Sequence, residues 1–195
     1  PLPLYNTEYT KAAFQLAKEV LAPMIVGKDI SSPDQLQVLF DGLKGHEFTR
    51  SAFDAAAWDA FAKAADQPLW SMIGGNNPSI VVGADIPVLS STEMLIDRIA
   101  EAIEQGFPRV KLKYNQQCTP QMIEKVRNTY PDLVMHIDCN SGFTLDDIDM
   151  FQRIDHFDLS MIEQPLAYDD LIDHSILQKQ LKTPICLDES ITSVH

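Results

Sequence analysis

Cysteine is scarce in this chain: Cys118, Cys139 and Cys186 are odd in number, widely spaced and free of any C-x-x-C pattern. That excludes a disulfide framework and offers no zinc-ligand spacing. Basic charge is short as well, with 15 lysines and arginines against 28 acidic residues and a formal charge of −13. Such a surface repels phosphate backbones and anionic membranes, so neither nucleic acid nor a membrane is an expected partner. The acidity itself reads as a solvated surface. No run approaches the ~20 apolar residues that cross a bilayer, and the Pro1-Leu2-Pro3 start has no basic segment leading into an apolar one. A soluble, cytoplasmic chain is expected. No Gly-x-Gly-x-x-Gly or Lys-Ser/Thr follows Gly74-Gly75, which therefore reads as a turn and not a phosphate cradle, and there is no Gly-x-Ser-x-Gly.

What is present is 45% hydrophobic sequence over 195 residues, enough for one sizeable core or for a small domain joined to part of a larger one. Residues 1–78 read as helical. A first segment from Thr7 carries Phe14, Ala17 and Leu21 on one face and is expected to stop at Pro23. A second, with Thr49 as the expected N-cap, places Phe53, Ala56, Ala57, Ala60, Phe61 and Ala64 in a small-residue stripe. The run Gly74-Gly75-Asn76-Asn77-Pro78 closes this region.

From residue 79 to 195 short β-rich runs alternate with amphipathic helices, the pattern of βαβ units on a parallel sheet. Helices are expected after Ser90-x-x-Glu93, with Gly106 as the left-handed residue past the end, after Thr119-Pro120, after Thr144-x-x-Asp147, and from Asp169 or Asp170 to about Lys182. The strands fall at roughly 80–88, 109–113, 133–138, 159–163 and 184–188. Lys113, Asp138, Glu163 and Asp188 close the last four at a constant step of 25 residues. Equal pitch sets functional side chains at one height, the C-terminal rim of successive strands, where (β/α) barrels keep their active sites. A doubly wound sheet would instead gather them at one switch point.

In Arg109-Val110-Lys111-Leu112-Lys113, period-two alternation puts Val110 and Leu112 on one face and the two lysines on the other. In a barrel the lysines face inward, where two ammonium groups are costly unless carboxylates or substrate anions oppose them or one lysine gives up its proton. An edge strand with a wet lysine face is the plain alternative. Three acids converging on one rim could not all stay ionised without a cation, and all-oxygen ligands without His or Cys suit Mg²⁺ or Mn²⁺. His136 shares a face with Asp138 and reads as a core histidine or a support for the site. Asn140 could bond the carboxylates or a substrate, or be an ordinary turn residue.

At these residues the sequence resembles the enolase superfamily, in its muconate-lactonising subgroup. The Lys-x-Lys of the second strand, His136-Ile137-Asp138-Cys139-Asn140, Ile162-Glu163-Gln164-Pro165-Leu166 and Cys186-Leu187-Asp188-Glu189-Ser190 stand in the family's order. The stretch from Met161 to Ile191 looks most like the o-succinylbenzoate synthases and N-acylamino acid racemases. The region around Trp58 resembles the end of the family's capping domain.

The resemblance implies residues 1–78 as the helical C-terminal part of an α+β capping domain, and 79–195 as the first five strands of a (β/α)8 barrel. It further implies Mg²⁺-dependent abstraction of the proton α to a carboxylate on a small molecule. Lys113 would be the base, Lys111 the residue that lowers its proton affinity and meets the substrate carboxylate, and Asp138, Glu163 and Asp188 the metal ligands; Asn140 and Ser190 would support the site or the substrate. Dipeptide epimerases and muconate cycloisomerases share the same chemistry, and a catalytically silent barrel kept for binding is the reading of another class. The family's further lysine on strand six would fall roughly 18 residues past His195. The chain is thus expected to be an internal piece of a longer protein, inactive alone, for which a homo-oligomer is compatible. Cys139 stands where the family would have a small alanine.

Overall fold

The computed structural model describes residues 7–192 and divides the chain into two compact units, Pro1–Ile80 and Val81–His195.

The first unit is helical: α1 (Thr10–Leu16), a π-helical turn (Ala17–Leu21), α2 (Ala22–Ile25), α3 (Asp34–Phe40), α4 (Glu47–Ala64) and α5 (Leu69–Met72). Pro23 does not stop the first helix. The amide of Ala22 donates to the carbonyl of Ala17, five residues back, so the wider turn accommodates a proline that has no donor and needs room for its ring. The extra residue also rotates the faces: Leu21 is buried with Leu36 and Phe40, whereas Phe14, expected on the same face, is 69% exposed. Phe40 meets Phe53 edge-on with ring centroids 5.8 Å apart.

Helix α4 corrects two further expectations. Its N-cap is His46, in the left-handed conformation, and Thr49 lies inside the first turn. The orphan amides of Phe48 and Thr49 donate to the carboxylate of Glu8, at 2.8 and 3.0 Å, and the Thr49 hydroxyl donates to it too. A buried acid from far back in the chain thus replaces a local cap and meets the positive end of the helix dipole. Of the expected stripe, Phe53 and Ala57 pack on the Leu21–Leu36–Phe40 cluster, while Ala56, Ala60 and Ala64 are exposed. Small apolar residues lie all round this helix, so periodicity does not select its buried face.

In the second unit β1 (Ala84–Ile86), β2 (Arg109–Lys113), β3 (Val134–Asp138), β4 (Ile162–Glu163) and β5 (Ile185–Cys186) form one parallel sheet in sequential order. The crossovers carry α6 (Thr92–Glu104), α7 (Pro120–Thr129), a 3-10 turn (Leu145–Asp147) leading into α8 (Ile148–Ile154), and α9 (Leu171–Gln178). Val110, Leu112, Met135, Ile137 and Ile162 are fully or almost fully buried against Leu95, Ile99, Ile123, Val126, Phe151, Ile154 and Leu177 of the helices. One face of the sheet is therefore the core. The other is left to Asp85, Lys111, Lys113, His136, Asp138 and Glu163, the register partners on adjacent strands.

Most helix signals act as expected. Thr119 precedes Pro120 at the start of α7, Thr144 and Asp147 form a reciprocal capping box, and Asp170 caps α9 through the amide of Asp173. Two shift slightly: the cap of α6 is Ser91, accepting from the Met94 amide, and α9 ends at Gln178. The first strand is shorter than expected. Its one partner among the described residues, β2, begins at Arg109, so pairing covers Ala84–Ile86 alone and Ile80 and Val81 are exposed. No helix among the described residues is long and apolar enough to cross a membrane.

Candidate active site and metal centre

The 25-residue step becomes a rung of the sheet: Lys113 is the register partner of Asp138, and Asp138 of Glu163. In a parallel sheet register partners point the same way. Lys113 Nζ donates to Asp138 Oδ2 at 2.6 Å and to Asn140 Oδ1 at 2.8 Å. One pleat below, Lys111 Nζ lies 2.8 Å from Asp138 Oδ2 and 2.7 Å from Glu163 Oε1. The lysine side chains are about a quarter exposed while the Asp138 side chain is fully buried. The wet lysine face is thus excluded: the amines stand opposite carboxylates.

Electrostatics follow from this packing. Burial raises the proton affinity of Asp138, but hydrogen bonds from Lys111, Lys113 and the Asn140 amide outweigh it and hold the carboxyl below the ordinary aspartate range. Burial works against the charge on Lys111 too, and is outweighed by its bonds to Asp138 and Glu163, so its pKa is raised and it remains an ammonium. His136 Nε2 is 3.3 Å from Glu163 Oε2; burial lowers its pKa and keeps the imidazole neutral.

Beyond β3 the chain reverses sharply. Asn140 and Ser141 take positive φ, 44° and 61°, and the Gly142 amide closes the turn on the Cys139 carbonyl at 2.9 Å. Asparagine tolerates this conformation better than most residues. The turn brings the Asn140 side chain back over the rung, where its Oδ1 accepts from Lys113 and its Nδ2 donates to Glu189 Oε1 at 3.1 Å.

The equal step does not extend to the fifth strand. Glu163 pairs with Cys186, and Asp188 lies two residues beyond, in a bend past β5. Asp188 is exposed, and the acid tied into the network is its neighbour Glu189. Among the described residues no three His, Cys, Asp or Glu side chains are grouped closely enough to hold a metal ion. Ser190, expected near substrate, uses its Oγ to accept from Gln164 Nε2 at 2.7 Å.

The donor chemistry nevertheless fits a hard cation. Asp138 and Glu163 already converge on a single positive charge, the Lys111 ammonium. Glu189 Oε2 is buried without a hydrogen-bond partner, an arrangement that costs free energy unless a positive group is near. All of these atoms are oxygens, the ligands preferred by Mg²⁺. Two residues that periodicity did not single out, Glu189 and Gln164, hold this end of the sheet together. Both stand in the motifs that carry the family resemblance, directly after Asp188 and Glu163, with no role expected of them there.

Comparison with known proteins supplies the family. Residues 94–195, just over half of the chain, match the profile described as Enolase C-terminal domain-like, and residues 5–74 match the Mandelate racemase / muconate lactonizing enzyme, N-terminal domain. An o-succinylbenzoate synthase of Listeria innocua is 41% identical over 194 residues, covering 100% of this chain and 52% of the relative. An N-succinylamino acid racemase of Thermus thermophilus is 36% identical, over 100% of this chain and 53% of the relative. A crystal structure of an enolase superfamily member from Listeria innocua superposes with a TM-score of 0.91 at 40% identity, covering 98% of this chain and 52% of that one. The chain spans about half the length of the curated relatives it matches, and its five parallel strands are part of a (β/α) barrel. The two matched profiles and the ordered rung of lysine and carboxylates together establish that this chain belongs to the enolase superfamily.

Proposed function

We propose that the protein containing this chain abstracts the proton α to a substrate carboxylate with the help of Mg²⁺, as an o-succinylbenzoate synthase that also racemises N-acylamino acids. The carrying observation is the in-register rung in which the Lys113 amine is seated between the Asp138 carboxylate and the Asn140 amide. Lys113 is the base: the α C–H pair stays with the substrate and the proton passes to Nζ. In the synthase reaction the β-hydroxyl then leaves with a proton as water. In the racemase reaction a proton returns to the same carbon. Lys111 faces the substrate carboxylate and keeps a positive charge beside Lys113. Asp138 and Glu163, with Asp188, would hold the Mg²⁺, which supplies stabilisation of the negative charge on the substrate carboxylate oxygens when the α-proton leaves. Asn140 fixes the direction of the Lys113 amine.

Both activities are supported by the names of relatives at similar identity, a synthase at 41% and a racemase at 36%. The test is an assay of the full-length protein on a hydroxylated cyclohexadiene carboxylate carrying the succinyl group, and on N-succinylamino acids. Turnover of the first is expected to vanish with a chelator and to return with Mg²⁺. Turnover of neither substrate, or turnover indifferent to the chelator, would remove this reading.

A further inference from the structure

Gln164 is a buried polar side chain of the second unit with four side-chain hydrogen bonds. It is 0% exposed, and its backbone takes a φ of 37°, a conformation that a non-glycine residue keeps only when its surroundings over-determine it. Its backbone amide donates to the Cys186 carbonyl and its carbonyl accepts from the Ser141 amide, each at 2.8 Å. The side-chain Oε1 accepts from the amides of Asp188, at 2.8 Å, and Ser190, at 3.2 Å. Nε2 donates to Ser190 Oγ at 2.7 Å and to the Leu166 carbonyl at 3.2 Å. Every hydrogen-bonding atom of the residue is used.

These partners are not scattered. Apart from Leu166, on its own strand's exit, and Cys186, the last residue of β5, they lie on the turn after β3 that carries Asn140 and on the bend after β5 that carries Asp188 and Glu189. The bend has no ladder hydrogen bonds of its own to fix it, since β5 ends at Cys186. A buried glutamine serving only to fill the core would have no reason to spend its acceptor on the two amides that flank Glu189.

We propose that Gln164 is a positioning residue that sets where the Asp188-Glu189-Ser190 bend stands relative to Asp138 and Glu163, and through it the affinity of the site for Mg²⁺. The proposal rests on the reading of Asp138, Glu163 and Asp188 as the metal's ligands. Residues that orient ligands from behind usually affect metal affinity by about 10–100-fold.

The full-length protein tests it. Gln164→Leu removes all four side-chain hydrogen bonds at similar volume. Calorimetric titration with Mg²⁺ is expected to show a Kd raised roughly 10–100-fold, with the turnover lost at low Mg²⁺ largely recovered at saturating Mg²⁺. Gln164→Glu keeps the acceptor for the two amides and is expected to hold the Kd within a few-fold of the parent. Should Gln164→Leu fail to fold, amide hydrogen exchange on the unaltered protein decides: slow exchange at Asp188 and Ser190 supports the proposal. An unchanged Kd in folded Gln164→Leu overturns it, as does exchange at both amides as fast as in an open turn. Asp138→Ala is titrated alongside; if it too binds Mg²⁺ like the parent, the ligand assignment is what has failed.

Discussion

Asp138 is the side chain on which most of the local chemistry turns, because Lys111, Lys113 and the Asn140 amide all bond to it. Lys113, Asp138 and Glu163 were legible because alternation assigns each a face and a constant pitch assigns each a height. Glu189 and Gln164 were not, because their parts depend on left-handed turns and on a bend past the last ladder bond, none of which leaves a period in the sequence. Asp188 shows the limit of the pitch: its count from Glu163 is right, yet the register partner is Cys186. Asp155 offers a prediction of another kind. Partial burial raises its proton affinity, but the amides of Lys182 and Thr183 donating to its carboxylate outweigh that and lower its pKa. A depressed carboxylate stabilises the fold above the ordinary aspartate pKa of about 3.9, and that contribution is lost as pH falls through the lower folded value. Because the carboxylate is largely solvated and screened, Asp155→Ala is expected to cost no more than about 1 kcal/mol near neutral pH, with the difference from the parent shrinking below about pH 4. Denaturant unfolding at several pH values measures it.

The helices of the second unit were readable because each has an apolar stripe, a start signal and a stop, and the strands because they are short β-branched runs between them. Gly106, with φ 85° after α6, is such a stop. The first unit was harder. Its helices are capped from a distance by Glu8, widened by a π turn before Pro23 and, in α4, apolar on all sides, so local signals misplace the faces. Gly75 is also set by tertiary contact. A Cβ there would lie 2.4 Å from the Trp70 carbonyl oxygen, to which the Gly75 amide itself donates at 2.7 Å. Gly75→Ala is therefore expected to lower stability by about 1–3 kcal/mol, the range of overpacking. Gly106→Ala, where nothing lies within 4 Å of the added methyl, is expected to cost only the left-handed penalty of a residue with a Cβ, roughly 1–2 kcal/mol. Thermal unfolding of the two variants compares them.

The sheet as a unit separates two tasks by face. Its apolar side, packed on α6 to α9, forms the core, and its polar side presents amines and carboxylates at the C-terminal ends of the strands. The barrel architecture was readable from alternation and pitch, and the family from the motifs at the strand ends. What remained hidden was how a hydrogen-bonded glutamine at positive φ and the strained turn after β3 fasten the rim. If the rung is the seat of proton abstraction, removing the amine of Lys113 must stop exchange of the substrate's α-proton without unfolding the protein. The direct measurement is deuterium incorporation at that carbon, in D₂O with saturating Mg²⁺, by full-length parent and Lys113→Ala. A fall of roughly 10²–10⁴-fold in a folded variant is expected; exchange at the parent rate would contradict the assignment.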